Sequence, residues 1–310
     1  MTARLQDLPF DPAALKRLSP ALITSNHQNN YAGAVKRLNA IRRDLGATPF
    51  ATAPGFQLNG LKREELIATN SMLLHELYFA SLGGDGATME PAATLMLQAS
   101  FGSVEHWREE FIAMGKALGG GSGWVLLVLK PREGTMVNRS LADSAVDHTH
   151  ALAGGVPIPA LDMYEHAYHM DFGAAAGAYV DAFMGNIDWA AVYGRYQRAV
   201  HAAGEPFGAN QDQVGDALVF DVRRAGVFEN ARTMIPGARW CDPAQVPTWA
   251  AELPADRELL VYCVYGQEVC RVTALRLQAA GLKARYLIGG IDAWQAAGRP
   301  LVDKPRSHTP

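Results

Sequence analysis

Two stretches of this 310-residue sequence carry residues whose types and spacing suit chemistry. In the first, Asp162-Met163-Tyr164-Glu165-His166 follows a short apolar run, Val156 to Leu161. An aspartate and a histidine four residues apart, straight after a strand, can converge on one point. A carboxylate and an imidazole together suit iron, manganese or zinc. The spacing alone leaves metal binding and a structural role equally open. His75 sits among leucines on a helical pattern, where a lone histidine is more often a satisfied core residue than a ligand. In the second stretch, LLVYCVYGQEVCRV, Cys263 follows an apolar strand, and a glycine-containing loop leads into a helix. Such a turn points backbone N–H groups inward at a helix start, which stabilises an anionic sulfur and lowers its pKa. A thiolate held there can attack sulfur donors and carry a persulfide. A cysteine after a strand is also often just a small buried apolar residue.

The two chemistries are segregated. Seven of nine histidines precede residue 170, and all three cysteines follow residue 240. This partition predicts two active sites on two domains, and the length suits two domains.

The elements that must position these residues can be read from periodicity. Tyr31, Val35, Leu38, Ile41 and Leu45 repeat at helical spacing, with Gly46 as a C-cap. A second helix is expected over 61–82, stopped by Gly83-Gly84. A third carries Val104, Trp107, Phe111 and Met114 and ends at Gly119-Gly120-Gly121. Trp124 to Leu129 and Val156 to Leu161 read as buried strands, and helical patterns return over 174–184 and 189–203. The segment 204–212 has Gly, Pro and Asn without periodicity and reads as a linker. Beyond it, strands at 217–221, 259–262 and 284–287 alternate with helices at 269–280 and 291–297. Alternation of this kind predicts a parallel sheet with helices on its faces.

Composition narrows the function classes. A net charge of -3 argues against a general nucleic-acid binder, which needs a basic face. The longest apolar run, Trp124 to Leu129, is far too short to span a bilayer. The N-terminus, MTARLQDLPF, lacks the apolar core of a signal peptide. Three cysteines cannot pair completely, which predicts a reducing compartment and a cytoplasmic location.

The string DMYEHAYHMDFGAAAGAYVDAFMGNIDW resembles the C-terminal signature of iron/manganese superoxide dismutases, which reads Asp-x-Trp-Glu-His-Ala-Tyr and later Asn-x-x-Trp. Asp162, Glu165, His166, Ala167, Tyr168, Asn186 and Trp189 carry the match. GSGW at 121–124 and LPFDPAAL near the start follow the same family in the same order, so the resemblance covers roughly residues 5–203. The resemblance implies one Fe or Mn ion, with His75, Asp162 and His166 as ligands. It implies superoxide as substrate, a homodimer formed through this domain, and Glu165 and Tyr168 at that interface. His148, in VDHTH, falls near the family's outer-sphere glutamine and is expected to tune the metal through its bound water.

The sequence departs from the family at the first helical ligand. Aligning AVKRLN (34–39) with the family's Tyr-Val-x-x-Leu-Asn puts Asn26 where the first histidine ligand belongs. His27 is next to it. One residue along a helix turns a side chain by about 100°, so His27 reaches a metal only if the helix start is distorted. The same alignment puts Ala34 where the family has its gating tyrosine and Asn30 where it has a channel histidine.

A second resemblance covers roughly 213–303. FDVRRAGVFENARTMIPGA is similar to the rhodanese N-terminal signature through Asp221, Arg223, Ile235, Pro236, Gly237 and Ala238. GGIDAWQAAGRPL matches the C-terminal one through Gly289, Gly290, Trp294 and Gly298. It implies that Cys263 is the sulfur-accepting nucleophile, cradled by Val264, Tyr265, Gly266, Gln267 and Glu268, with Arg223 at the site. Many members carry a basic residue in the loop; this one carries Glu268, which suits a neutral low-molecular-weight or protein-bound persulfide donor better than thiosulfate. Cys270 is read as a resolving thiol or as a small buried residue.

The expected architecture is therefore a helical hairpin (1–88) and an α+β part (89–203) forming a dismutase-like domain. A linker (204–212) and a rhodanese-like parallel α/β domain (213–310) follow. The expected activity is superoxide dismutation with a persulfide-carrying C-terminal domain. The alternative is a degenerate dismutase scaffold used for dimerisation or binding, with sulfur transfer as the only chemistry.

Overall fold

The computed structural model describes residues 2–142 and 154–305. Their packing separates two units, Met1–Val128 with Met136–Tyr193, and Leu129–Thr135 with Gly194–Pro310.

In the first unit, α1 (Pro20–Ser25) starts from Ser19, whose hydroxyl accepts from the Leu22 N–H, and Pro20 occupies the first turn where a missing N–H costs nothing. A π-helical segment, Asn26–Tyr31, joins it to α2 (Ala32–Ala47). The expected stripe is observed: Val35, Leu38, Ile41 and Leu45 are buried. Leu38, Ile41 and Leu45 pack on Ala68 of α3 (Gly55–Ala80). Tyr31 meets Glu76, and Arg37 pairs with Glu64, so the two helices run antiparallel as the expected hairpin. Helix α3 begins earlier than its apolar pattern predicts, because its first turns, including Phe56, are solvent-exposed and carry no stripe. Leu66 and Leu73 also face outward, whereas Leu74, His75, Tyr78 and Phe79 face in.

Helices α4 (Pro91–Phe101) and α5 (Val104–Ala117) lead to a three-stranded sheet in the order β2-β1-β3, with β1 Gly123–Lys130, β2 Thr135–Ala142 and β3 Val156–Asp162. Strand β1 is buried almost throughout, which explains its continuous apolar run. A 3₁₀ turn (Glu165–Ala167), α6 (His169–Phe172), α7 (Ala176–Met184) and α8 (Trp189–Gly204) follow.

The second unit holds a five-stranded sheet of order β4-β9-β8-β5-β7, every pair parallel. Its strands are β4 Gly208–Ala209, β5 Leu218–Asp221, β7 Arg239–Trp240, β8 Glu258–Tyr262 and β9 Lys283–Leu287. A separate two-stranded pair joins β6 (Thr233–Met234) to β10 (Val302–Asp303). The helices are α9 (Ala225–Asn230), α10 (Val246–Ala250), α11 (Glu268–Ala279) and α12 (Gly290–Ala296). Strand β4 lies inside the stretch expected to be a linker: Gly208 and Ala209 pair with Tyr286 and Leu287 and form a sheet edge. Two residues are too short for a period, so no sequence pattern announced them.

Alternation along β8 divides the core. Leu259 and Val261 pack with Ala274 and Leu277 of α11, while Leu260 and Tyr262 pack with Ile291 and Trp294 of α12. Cys263 continues the first set and falls on the α11 face. The chain runs from β5 to β7 on one side and returns to β8 on the other. Cys263 thus leaves the carboxyl end of β8 at the point where the strand order reverses, the usual place for a ligand site in an open parallel sheet.

Candidate functional site

Three ligating side chains converge in the first unit. His75 comes from the last turns of α3, Asp162 ends β3, and His166 sits in the 3₁₀ turn after it. His166 Nε2 is 3.2 Å from Asp162 Oδ2, His75 Nε2 is 3.5 Å from the same oxygen, and the two Nε2 atoms are 3.3 Å apart. These donor atoms all lie within 4.8 Å of one another. In His75 and Asp162 the second atom is already committed. His75 Nδ1–H donates to the Ser71 carbonyl at 2.7 Å, which fixes the tautomer and leaves a lone pair on Nε2. Asp162 Oδ1 accepts from the Tyr164 N–H at 3.0 Å, and the Asp162 carbonyl accepts from the Tyr179 hydroxyl at 2.7 Å. Burial holds His75 below the usual histidine range, so it stays neutral. Burial opposes the charge on Asp162, yet the adjacent His166 and then His75 bring the carboxyl below its usual range. Two imidazole nitrogens and a carboxylate oxygen crowded together, with His75 and Asp162 each fixed by an outer partner, form a donor set that fits a divalent or trivalent cation.

The structure places Asn26 at this cluster and leaves His27 out of it. Asn26 is 1% exposed, and its Nδ2 donates to Asp162 Oδ2 at 3.3 Å. Its Oδ1 is buried with no hydrogen-bond partner among the described residues. His27 Nε2 lies 2.8 Å from the Gln6 carbonyl, and its ring sits edge-on to Tyr31 and Phe79. The helix start is indeed distorted, being π-helical from Asn26, but the distortion does not carry His27 inward. His27 is thus corrected as a ligand: its ring faces a cleft lined by Gln6, Asp7, Tyr31, Glu76 and Phe79.

Tyr31 was not singled out for chemistry by the sequence. Its ring lies 6.3 Å from that of His75, and its hydroxyl donates to Glu76 Oε1 and accepts from the Gln6 N–H, both at 2.9 Å. Burial, with the Glu76 carboxylate, pushes its pKa up to about 12. It stands one helical turn before Ala34, where the family pattern has a tyrosine. The signal was available in the turn spacing, since residues three apart share a helix face. Trp124 walls the cluster, with its ring 5.1 Å from that of His75 and its Nε1 buried without a partner among the described residues. Tyr168 is buried, with its ring 5.3 Å from that of Tyr179, and Glu165 is exposed beside it. His148 lies outside the described residues.

In the second unit, Cys263 and Cys270 lie together, both free thiols, with sulfurs 3.1 Å apart. The Cys270 thiol lowers the Cys263 pKa to about 7 against the pull of burial, and the N–H groups of Cys270, Gln267 and Gly266 add to the effect. Burial pushes the Cys270 thiol well above its ordinary range. The loop is pinned from behind, because the N–H groups of Ile291 and Asp292, at the start of α12, donate to the carbonyls of Cys263 and Val264 at 3.0 Å. Only glycine fits at Gly290: its φ is 61°, and a Cβ there would meet the Val264 oxygen at 2.4 Å. Of the expected cradle, Gly266 and Glu268 are buried, Val264 is half-buried, and Tyr265 and Gln267 are exposed.

Arg223, expected at the sulfur site, is engaged in a buried ion pair. Its guanidinium is buried against Asp221, with Nε donating to both carboxylate oxygens at 2.9 and 3.0 Å, and Nη2 also reaches the Thr233 carbonyl at 3.0 Å. Those bonds anchor β5 to β6. Arg224 and Arg271 both reach the loop: Arg224 pairs with Glu268 across 44 residues of sequence, and Arg271 Nε donates to the Gly266 carbonyl at 3.0 Å. The acid that seemed to leave the loop negative is thereby neutralised.

Comparison with known proteins gives two family matches. Residues 90–195 match the model described as iron/manganese superoxide dismutases, C-terminal domain, and residues 207–297 match the rhodanese-like domain. The chain is 59% identical over 200 residues to "Superoxide dismutase [Fe]" of Cupriavidus metallidurans, covering 64% of this chain and 99% of that protein. It is 34% identical over 201 residues to "Superoxide dismutase [Mn] 2" of Halobacterium salinarum (63% and 96%). It is 31% identical over 198 residues to "Superoxide dismutase [Fe]" of Aquifex pyrophilus (62% and 90%).

Proposed function

We propose, from the premise that this chain belongs to the iron/manganese superoxide dismutase family and carries a rhodanese-like domain behind it, that its first domain dismutes superoxide and its second carries sulfane sulfur on Cys263. The observation that carries the first half is the convergence of His75 Nε2, Asp162 Oδ2 and His166 Nε2, with the second atoms of His75 and Asp162 committed outward. Iron or manganese held by these three residues, one ion per domain, would supply one-electron chemistry in which one superoxide is oxidised to dioxygen and a second, with two protons, is reduced to hydrogen peroxide. The chain's part is to hold and orient. Ser71 fixes the His75 tautomer, Tyr164 fixes the Asp162 carboxylate, and Trp124 keeps one wall apolar. The Tyr31 hydroxyl stays protonated at neutral pH and hydrogen-bonded to Glu76 at the cleft beside the cluster, in position to relay protons.

Asn26 favours a second reading. It takes the place of a fourth ligand yet turns its amide N–H toward Asp162, as expected of a site that has lost metal and survives as a scaffold. Elemental analysis and superoxide turnover of protein purified from metal-supplemented medium separate the two. The dismutase reading expects about one Fe or Mn per chain with turnover; less than about a tenth of an ion per chain leaves the scaffold reading.

For the second half, the support is a thiolate at the carboxyl end of β8 facing backbone N–H groups, with no uncompensated charge from Glu268. A neutral low-molecular-weight or protein-bound persulfide suits this loop as donor. A Cys263→Ser chain that keeps full sulfur transfer would remove the reading. The dismutase-like domain is assigned to 1–203, and the rhodanese-like domain begins before the expected 213, because β4 at Gly208–Ala209 already belongs to its sheet. Homodimerisation is assigned to the first domain, through exposed Glu165 and the neighbouring Tyr168, and sedimentation of a Glu165→Ala chain tests it. Among the described residues no helix is long and apolar enough to cross a membrane. Three unpaired cysteines support a reducing, cytoplasmic setting.

A further inference from the structure

Cys270 has no part in the proposed dismutation, and persulfide formation on Cys263 needs only one thiol. Yet the fold brings the two sulfurs into contact by a specific route. Alternation along β8 sends Leu259, Val261 and Cys263 to the α11 face, and the first turn of α11 sets Cys270 on the same side. The loop between them is closed by Gly266 (φ 69°), where a Cβ would strike the Gly289 nitrogen at 2.5 Å. The result is two sulfurs 3.1 Å apart, at the separation from which one attacks the other. Both are nearly sealed from solvent, Cys270 at 0% and Cys263 at 5% exposure. With Cys263 ionised, the hydrogen of this contact must come from Cys270, whose other acceptor is the Gln267 carbonyl at 3.5 Å. A mere packing cysteine needs neither the contact nor the orientation.

We propose that Cys270 is the resolving thiol of the sulfur site: it displaces the outer sulfur of a Cys263 persulfide as hydrosulfide and closes a Cys263–Cys270 disulfide. The proposal rests on the reading of Cys263 as sulfane carrier. In the step, Cys270 Sγ forms a bond to Cys263 Sγ, and the bond from Cys263 Sγ to the outer sulfur breaks. The Cys270 proton leaves on that sulfur as HS⁻. The sulfane sulfur is reduced to sulfide, and the two cysteines supply the electrons by becoming a disulfide. A dithiol reductant returns the pair to the thiol state. The site thereby becomes a sulfide-releasing centre instead of a one-cysteine relay that can only hand its sulfane sulfur to an acceptor. Outside the persulfide cycle, the same disulfide masks Cys263 and keeps it from accepting sulfur until it is reduced.

The test uses the full chain, reduced, mixed with glutathione persulfide, desalted and weighed intact, with peptide mapping of residues 263–270. Cys270→Ser keeps a hydroxyl to donate to Cys263 but cannot form the disulfide; Cys270→Ala guards against a serine variant that folds poorly. The expected result is that the Ser and Ala variants each gain the mass of one sulfur on Cys263 and hold it. The wild-type chain instead loses the mass of two hydrogens, releases stoichiometric sulfide and shows the 263–270 disulfide, which dithiothreitol reverses. A wild-type chain that holds the added sulfur as the variants do, with Cys270 still a free thiol, overturns the resolving role and leaves the carrier reading intact. Variants that take up no sulfur overturn the carrier reading and this inference with it.

Discussion

The two imidazoles of the metal cluster are 91 residues apart in sequence, and Asn26 lies 136 residues from the carboxylate it touches; Cys263 and Cys270 are seven apart, on one strand-loop-helix unit. In the cluster, each side chain is placed by the packing of its own element: His75 by the inner face of α3, Asp162 by the end of buried β3, and Asn26 by the π-helical start of α2. One side chain can therefore change without moving the others, and Asn26 sits buried where a ligand would sit. In the thiol site a neighbouring thiol acts together with the backbone. N–H directions and close approaches at Gly266 and Gly290 make the pocket, so its weak points are glycines and not ligands.

The strongest way to break this contrast is Asp162→Ala. The variant removes the only carboxylate of the cluster and leaves His75 and His166 without the charge that balances a cation. Metal per chain is expected to fall below about a tenth of an ion by elemental analysis. The alkylation rate of Cys263 in the same preparation should not change; if it drops as well, the two sites are not independent. Asn26→His probes the opposite direction. A third imidazole in place of the amide should raise metal retention against a chelator by about 10–100-fold, the range by which single site-orienting groups alter affinity. Unchanged retention would mean that position 26 does not limit the site.

Legibility in the sequence follows the same division. Cys263, its loop and the glycines behind it lie in contiguous stretches, so their geometry could be read from strand, loop and helix patterns. His75, Asp162 and His166 were legible only because motifs in a fixed order placed them together. His27 follows the helix angle instead: Asn26 takes the ligand position, His27 turns away to the Gln6 carbonyl, and the π-helical start does not bring it inward. The part Arg224 takes at the loop was not legible. Asp221, two residues back, captures the Arg223 guanidinium, and Glu268 reaches Arg224 only through tertiary packing. Strand β4 escaped within an expected linker since two residues carry no period.

Gly290→Ala should break the thiol site while sparing the metal cluster. The added Cβ would meet the Val264 and Cys263 carbonyl oxygens at 2.4 and 2.5 Å, in a backbone conformation that side chains rarely adopt. A loss on the order of 2 kcal/mol is expected in the urea unfolding of the second domain. The rate of Cys263 alkylation should change with it, whereas metal content should stay at the wild-type level.

The smallest expected effect concerns the proton on Cys263. Its pKa is lowered to about 7 first by the Cys270 thiol and only then by backbone N–H groups, all working against burial. Because the thiolate is the nucleophile, alkylation of the wild-type chain should rise with pH through a midpoint near 7 and level off above it. In Cys270→Ala the leading donor is gone while burial remains, so the midpoint must move upward. A one-unit rise reduces the thiolate fraction at neutral pH about fivefold, and the rate with it, while the plateau at high pH is unchanged. Cys270→Ser, which still donates a hydrogen bond, should stay near the wild-type midpoint. That pattern separates the electrostatic part of Cys270 from its part as a nucleophile. A midpoint that ignores the alanine change would assign the lowered pKa to the loop backbone alone, and the thiol site would then owe its reactivity entirely to the glycine-shaped turn.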